Sequence, residues 1–318
     1  MQRTVLAESL LGDGRALQIV TAEAWDAQAL SAVILDAFGH RPVIDPPPPA
    51  LSETPETVIA ALAQGFGVLA LVDDEPAGVV IVSLEDDAVG IHRVSVRPAF
   101  QRQGIASAMI AVVLESLALR GIHRVGLIAR AEFPPVVAWW RRHGFVETAR
   151  HGTSLRLTRE LPVCVMARTA EETQDLGRRL AGLLRAGDLI IAAGDLGAGK
   201  TTLTQGIGVG LNVAGAVISP TFVLSRVHRP LSDGPALVHV DAYRLGSAAE
   251  LYDLDLDASA AEAVTLVEWG TGIAEGLADD RLEVDIRRSL DPEDETRWIF
   301  LTPIGERWTA VRSLLEAL

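Results

Sequence analysis

The sequence predicts an α/β protein of two domains: a mixed α+β unit over residues 1–162, then a central sheet with flanking helices over 163–318. Three observations predict it. The chain has 318 residues, about twice the ordinary size of one domain. Its charge divides unevenly about a seam at Pro162 to Cys164, with 14 basic and 18 acidic residues before it (−4) and 14 against 24 after it (−10). Hairpin signals mark the first half, whereas strand-length apolar runs alternate with helical spacing in the second.

In the first half, Ala16 to Val20 reads as a strand and residues 22–38 as a helix, with Ala24, Leu30, Val33, Ile34 and Phe38 near one face. Pro46 to Pro49 force an extended loop, and a second helix runs from Pro55 to Gln64. Gly67 to Val72 and Ala77 to Leu84 flank Asp73-Asp74-Glu75-Pro76, a hairpin signal. A strand at Val89 to Val96, an apolar helix at Ile105 to Leu119, a strand at Val125 to Ala129 and a helix at Val136 to His143 follow. Strands at Phe145 to Ala149 and Ser154 to Leu161 close the unit.

The second half opens a helix at Thr169, with Glu172 three residues on as in a capping box. Leu176, Leu180, Leu183 and Leu184 line its buried face. Asp188 to Ala193 is a strand, 194–199 a loop and Lys200 to Leu211 a helix. Further strands are expected at Val217–Ile218, Leu237 to Asp241, Val264 to Glu268, Leu282 to Ile286 and Trp298 to Thr302, with a terminal helix from Trp308 to Leu318.

Composition excludes some functions. A formal charge of −14 argues against holding nucleic acid by broad phosphate neutralisation. The longest apolar stretches stop at Glu115, Arg185 and Asp188, short of the roughly 20 residues that cross a bilayer, so a soluble protein without membrane contact is expected. Glu8 and Asp13 precede any apolar run, so no secretory leader is expected, and the lone Cys164 cannot form an internal disulfide. Both fit a reducing cytoplasm. Of the 28 basic residues, 27 are Arg, and the one lysine is Lys200. Lys and Arg exchange freely on a solvated surface but not where a compact ammonium must sit among phosphates.

Gly194, Gly199, Lys200 and Thr201 satisfy G-x-x-x-x-G-K-[ST], with Gly197 inside the loop. Roughly 8 × 10⁻⁴ such matches are expected by chance from this composition, and the motif lies between a strand and a helix as it must. Glycines let successive backbone N–H groups face a polyphosphate, a lysine bridges its outer phosphates, and a threonine hydroxyl holds Mg²⁺. A glycine-rich turn without a ligand is the alternative. Asp241 and Glu268 each end an apolar strand, where carboxylates can hold metal and position water. Either alone is more often a solvated strand end; together beside this loop they point to the site. Ser219-Pro220-Thr221 follows the phosphate-loop helix, where a switch segment can sense a γ-phosphate.

Together these residues resemble the TsaE (YjeE) family of bacterial P-loop ATPases. The run Gly194-Asp195-Leu196-Gly197-Ala198-Gly199-Lys200-Thr201-Thr202, the segment Ser219 to Phe222, the segment His239 to Arg244, and Glu268-Trp269 occur in that family's order and spacing. The resemblance spans about 165–318 and implies a P-loop NTPase sheet binding ATP and Mg²⁺. It places Lys200 on the phosphates, Thr201 and Glu268 on Mg²⁺, Asp241 in hydrolysis, Thr221 in the switch and Trp269 near the nucleotide. It also implies a role in threonylcarbamoyladenosine synthesis at tRNA position 37 with partners TsaB and TsaD, whose complex ATP turnover resets. Contact with tRNA would come through that complex. Gly270 stands where many relatives have Pro.

In the first half, Val94 to Ala106 joins a strand to a helix through a basic, Gly-containing turn. The N–H groups of Arg102, Gln103, Gly104, Ile105, Ala106 and Ser107 can meet a pyrophosphate at a helix start, although a tight strand-to-helix turn explains the bare pattern equally. Arg97-Pro98 before it and Trp139 to Phe145 after it make residues 15–161 resemble a GNAT N-acetyltransferase. The resemblance implies acetyl-CoA at Val94, Val96 and 101–107, with the Val94 strand splayed from the Val125 strand. Trp140 stands where many relatives have a general-acid Tyr, and Phe133 where they have Asn. Indole cannot protonate a departing thiolate. His92 and Glu132 are candidate bases, each also readable as structural, and Cys164 reads as a small buried hydrophobe. Three readings stay open: an acetyltransferase fused to the ATPase, a non-catalytic acyl-CoA sensor regulating it, and a protein N-acetyltransferase with a nucleotide-dependent scaffold.

Overall fold

The structure, a computed structural model, describes residues 3–85, 88–254, 262–289, 291 and 293–318. The chain forms two compact units, Met1–Leu161 and Pro162–Leu318. Among the described residues, no helix is long and apolar enough to cross a membrane.

The first unit is built on an eight-stranded sheet in the order β1-β2-β3-β4-β5-β6-β8-β7. The strands are β1 (Val5–Leu10), β2 (Ala16–Ala22), β3 (Gly65–Val72), β4 (Glu75–Glu85), β5 (Ala88–Val96), β6 (Arg124–Arg130), β7 (Val146–His151) and β8 (Ser154–Glu160). The β3–β4 turn places Asp73 and Asp74 at φ +46° and +67°, the paired left-handed geometry of a type I′ hairpin. Helices α1 (Ala27–Gly39) and α2 (Pro55–Ala63) cover one face, where Leu30, Val33, Ile34 and Val58 pack with Val20, Leu69, Leu71, Val79 and Ile81. Helix α3 (Ile105–Leu119) buries Ile105, Met109, Ile110, Val113 and Leu117. Helix α4 (Pro134–Arg142) joins β6 to β7.

All pairings in this sheet are antiparallel except β5 with β6. Those two strands share one parallel register pair, Gly90 with Gly126, and part beyond it. In β5 a bulge puts Arg93 at φ +50° and shifts the register against β4, so two residues oppose one. Arg97 N–H donates to Ala77 O on β4. By strand alternation, the N–H and C=O of Val96 and Val94 face away from β4, into the gap with β6.

The second unit holds a seven-stranded sheet, order β11-β12-β13-β10-β14-β15-β9. Its strands are β9 (Val163–Ala167), β10 (Leu189–Ala193), β11 (Ser225–His228), β12 (Ala236–Asp241), β13 (Ala263–Glu268), β14 (Arg281–Arg288) and β15 (Arg297–Ile304). The four central strands are parallel; β10, β12 and β13 are buried on both faces, while β14 alternates buried Leu282, Val284 and Ile286 with half-buried charged residues. Alternate residues serve two cores: Ile190 and Ala192 join Leu176, Leu203 and Trp308 on one side, Leu189 and Ile191 join Val238, Leu251 and Ala274 on the other. Helices α5 (Ala170–Ala181) and α6 (Lys200–Gly210) pack together on the first side, with α7 (Ala248–Tyr252), α8 (Gly305–Thr309) and α9 (Arg312–Glu316) smaller. Thr169 caps α5 by accepting Glu172 N–H at 3.2 Å, while the Glu172 carboxylate accepts Arg168 N–H at 2.7 Å, one residue earlier than a capping box requires.

Several sequence expectations are corrected. The α1 helix starts at Ala27, because Thr21 and Ala22 extend β2 and Ala24–Asp26 form a 3₁₀ turn. Val217–Ile218 is no strand: Val217 is buried and its carbonyl accepts from the Gln205 amide, so its apolarity serves packing rather than a ladder. The terminal helix splits into α8 and α9, with Trp308 fully buried. Strands β1 and β11 and helix α7 carry too short or too polar a pattern to be read, and β9 begins inside the seam expected at Pro162 to Cys164.

Candidate functional site

The phosphate loop of the second unit is fixed by its neighbours. Gly194 has φ +133°, and a Cβ there would lie 2.3 Å from the Ile286 carbonyl oxygen, so a side chain is excluded twice over. Gly199, also left-handed, starts α6. Lys200 is buried, and its Nζ donates to Gly194 O (2.6 Å) and Asp195 O (2.9 Å). The ammonium also sits 3.8 Å from the Trp269 ring centroid, a cation–π contact. Burial pushes its pKa down, against the opposing pull of Glu268, Asp241 and Asp195. Ala198 O accepts from Arg297 Nε at 3.0 Å, so the far end of β15 braces the loop.

The two predicted carboxylates stand side by side. Asp241 on β12 and Glu268 on β13 are register partners, and Glu268 is in turn opposite Ala192 at the end of β10. Thr201, in the first turn of α6, donates its hydroxyl to both Glu268 oxygens, at 2.9 and 3.1 Å. A hydroxyl and a carboxylate so paired are hard oxygen donors of the kind Mg²⁺ takes. Asp241 faces the segment Ser219 to Thr221: its Oδ2 accepts from Ser219 Oγ (2.7 Å) and Thr221 Oγ1 (2.9 Å), its Oδ1 from Tyr243 N–H (3.1 Å). Trp269 holds a left-handed backbone (φ +62°), its N–H on Ala192 O and its ring edge-on to Tyr243. Thus Lys200, Thr201, Thr221, Asp241, Glu268 and Trp269 come together at the sheet's carboxyl edge.

Two residues here carried no individual role in the sequence, only membership of a motif. His239 Nε2 lies 2.8 Å from Glu268 Oε1, and Ser219 shares Asp241 with Thr221. Both lie inside motifs the sequence displays, but their partners are visible only in three dimensions.

In the first unit, the turn before α3 has Arg102 at φ +64° and Gly104 at φ +84°, and a Cβ on Gly104 would meet nothing within 4 Å. The N–H groups of Ile105, Ala106 and Ser107 lie where a helix offers them no carbonyl. Gln103 is braced by Arg15 at 2.8 Å. Ser107 Oγ donates to His143 Nε2 (3.0 Å), because His143 Nδ1–H is committed to Trp139 O (2.8 Å). Val94 and Val96 turn their amide groups into the β5–β6 gap, where the turn and the open strand edge meet. Their edge carbonyls accept from Arg41 (3.5 Å) and Gln101 (3.0 Å).

The candidate bases fare differently. His92 hydrogen bonds Ser83 across the hairpin at 2.8 Å. Glu132 is a poor base: hydrogen bonding from Arg130 holds its carboxyl at about 2. Trp140 is buried with its ring edge-on to Phe145, centroids 4.9 Å apart, and so belongs to the core. Phe133 is the N-cap of α4. Cys164 lies in the edge strand β9 and is partly buried.

Residues 167–297 match the family described as threonylcarbamoyl adenosine biosynthesis protein TsaE, and residues 37–145 match the acetyltransferase (GNAT) family. Over 137 residues the chain is 60% identical to the tRNA threonylcarbamoyladenosine biosynthesis protein TsaE of Streptomyces coelicolor, spanning 42% of this chain and 93% of that protein. The protein of the same description from Mycobacterium leprae is 50% identical over 131 residues, spanning 39% of this chain and 81% of its own length. The crystal structure of the ribosomal-protein-S18-alanine N-acetyltransferase from Escherichia coli aligns with a TM-score of 0.40 at 18% identity, covering 46% of this chain and 94% of that one.

Proposed function

The chain belongs to the TsaE family of threonylcarbamoyl adenosine biosynthesis proteins and carries a GNAT-family acetyltransferase domain ahead of it, and on that premise we propose that it couples a Mg²⁺-dependent ATPase to an acyl-CoA-binding unit. The ATPase serves tRNA threonylcarbamoyladenosine synthesis with TsaB and TsaD in the cytoplasm, touching tRNA through that complex. The observation that carries it is the convergence of Lys200, Thr201, Asp241 and Glu268 on one loop.

The chain's own groups divide the work. Backbone N–H groups of 194–202 cradle the phosphates, and Lys200 leaves two loop carbonyls to meet them as a compact cation. Thr201 and Glu268 would hold Mg²⁺, which supplies neutralisation of phosphate charge when bound. Asp241 orients the attacking water once Ser219 and Thr221 turn from its carboxylate toward the γ-phosphate. Trp269 walls the nucleotide beside the loop.

In the first unit, the N–H groups of 102–107 would hold the diphosphate of acetyl-CoA and the open strand edge at Val94 and Val96 its pantetheine, and the bound group would supply an acetyl for transfer to an amine. A second reading, an acyl-CoA sensor with little turnover, is favoured by the buried Trp140 and the acidified Glu132.

Two measurements on the whole chain test the proposal. Phosphate release from ATP should require Mg²⁺ and respond to TsaB and TsaD, and calorimetric titration should show one acetyl-CoA site. Hydrolysis indifferent to Mg²⁺ would sink the first half; absence of acetyl-CoA binding by the folded protein would sink the second. Acetyl transfer to an amine panel, with and without ATP, separates enzyme from sensor.

A further inference from the structure

Residues 40–48 follow α1 and carry no motif, yet they are tied to both strands that flank the open gap. Arg41 donates to Val94 O on β5 at 3.5 Å, and Arg130 of β6 donates to Asp45 O at 3.5 Å. This proline-rich segment therefore borders the gap where β5 leaves β6.

Arg41 stands out within it. Its guanidinium stacks over the Phe38 ring at 3.9 Å and reaches the gap-facing carbonyl of Val94. Among the described residues it has no acidic partner within 4 Å. Carboxylates of the flanking segments are engaged elsewhere: Asp36 of α1 by His40 and Arg97, Glu53 by Arg93, and Glu132 after β6 by Arg130. Burial pushes the Arg41 pKa down with no compensating charge. Arg41 is half-buried, and a guanidinium drawn partly out of water without a counter-ion gains from an anion that completes it.

We propose that Arg41 binds a carboxylate of the acetyl acceptor, so that the acceptor is an amine carrying a carboxylate a few bonds from its nitrogen. The inference rests on the acetyl-transfer reading of this unit, which puts the thioester against the open edge of β5 at Val94. An anion held by a cation touching Val94 then lies close to the nitrogen that attacks. In the step, that nitrogen bonds the thioester carbonyl carbon, the carbon–sulfur bond breaks, and the sulfur leaves as thiolate and takes up the proton the nitrogen sheds. A free amino acid and a peptide beginning with an acidic residue both offer this chemistry.

The test uses the full chain and acetyl-CoA, with thiol release as readout. Acceptors are glycine, β-alanine, aspartate and glutamate, each beside its fully amidated form, and a peptide amide beginning with Asp. The carboxylate member of at least one pair should be favoured about tenfold in kcat/KM. Preference among free acids assigns a small amino acid, and preference for the peptide assigns an acidic N-terminus. Arg41→Gln should erase the discrimination through KM, and Arg41→Lys should restore part of it. Equal rates within every pair, or an equal fall in kcat for every amine in Arg41→Gln, overturns the proposal; the latter outcome would put Arg41 on the leaving thiolate. Acetyl-CoA titration separates the failures. Acetylation of amidated acceptors but of no carboxylate amine overturns the role of Arg41 alone, whereas binding without acetylation of any acceptor, or no binding, overturns the acetyl-transfer reading beneath it.

Discussion

The imidazole Nε2 of His239 lies 2.8 Å from Glu268 Oε1, fully buried, while its Nδ1 is buried without a hydrogen-bond partner among the described residues. Nε2 therefore carries the proton and donates it to a carboxylate that also receives Thr201. One side of Glu268 is held by the sheet, the other by the phosphate-loop helix. His239→Leu removes one donor from a buried carboxylate and should cost about 2–3 kcal/mol. Scanning calorimetry should show the loss in the unfolding of residues 162–318, with His239→Gln recovering part of it. An unchanged transition would show that Thr201 alone satisfies Glu268.

Lys200→Ala and Lys200→Arg should both abolish ATP hydrolysis, read as phosphate release. No other lysine exists to take over, and a planar guanidinium does not fit where Nζ meets two loop carbonyls and the Trp269 face. Turnover retained by the Lys200→Arg protein contradicts the fit.

Glu268→Gln and Asp241→Asn should fail differently. Glu268 is bound to Thr201, so its loss should weaken nucleotide binding when Mg²⁺ is present and little when it is absent. Asp241 is bound to the switch hydroxyls, so its loss should lower kcat with affinity largely kept. Binding of a fluorescent nucleotide with and without Mg²⁺ reads the first, and steady-state hydrolysis the second. The reverse pattern exchanges the roles.

Gly104→Asp should lose acetyl-CoA binding without unfolding the unit. A Cβ there meets nothing within 4 Å, so the structural cost is the left-handed backbone at φ +84°, about 1–2 kcal/mol. The functional cost is a negative side chain where a diphosphate must approach. Calorimetric titration of the whole chain checks it, and normal affinity would remove the turn from the site.

Glu132 titrates far from neutrality. Its carboxyl is held at about 2, from an ordinary 4.5, by the hydrogen bonds of Arg130. For a depressed carboxyl, the stabilisation is complete above the unfolded value and fades as pH falls through about 2. Carbon NMR of the side chain should place its midpoint there, and Arg130→Gln should return it toward 4.5. A midpoint near 4.5 in the wild type would free Glu132 to act as a base.

The sequence by itself determined two α/β units, the phosphate loop at 194–202, and the strand-end positions of Asp241 and Glu268. These are properties of short segments: glycine spacing, apolar runs of strand length and a lone lysine are all written within a few residues. The expectation that the Val94 strand splays from the Val125 strand came from a family resemblance, and the single Gly90–Gly126 register pair agrees with it. Only the tertiary structure decided that His239 serves Glu268, that Asp241 is covered by Ser219 and Thr221, that Arg297 braces Ala198 from 99 residues away, and that Arg41 lies on Val94. Each is a pairing between strands or loops distant in sequence, and no local pattern encodes its partner. The edge strands β1, β9 and β11 escaped for a related reason. An edge strand is half solvated and takes its ladder from a neighbour, so its own residues need not alternate, and only the neighbour shows that it is a strand.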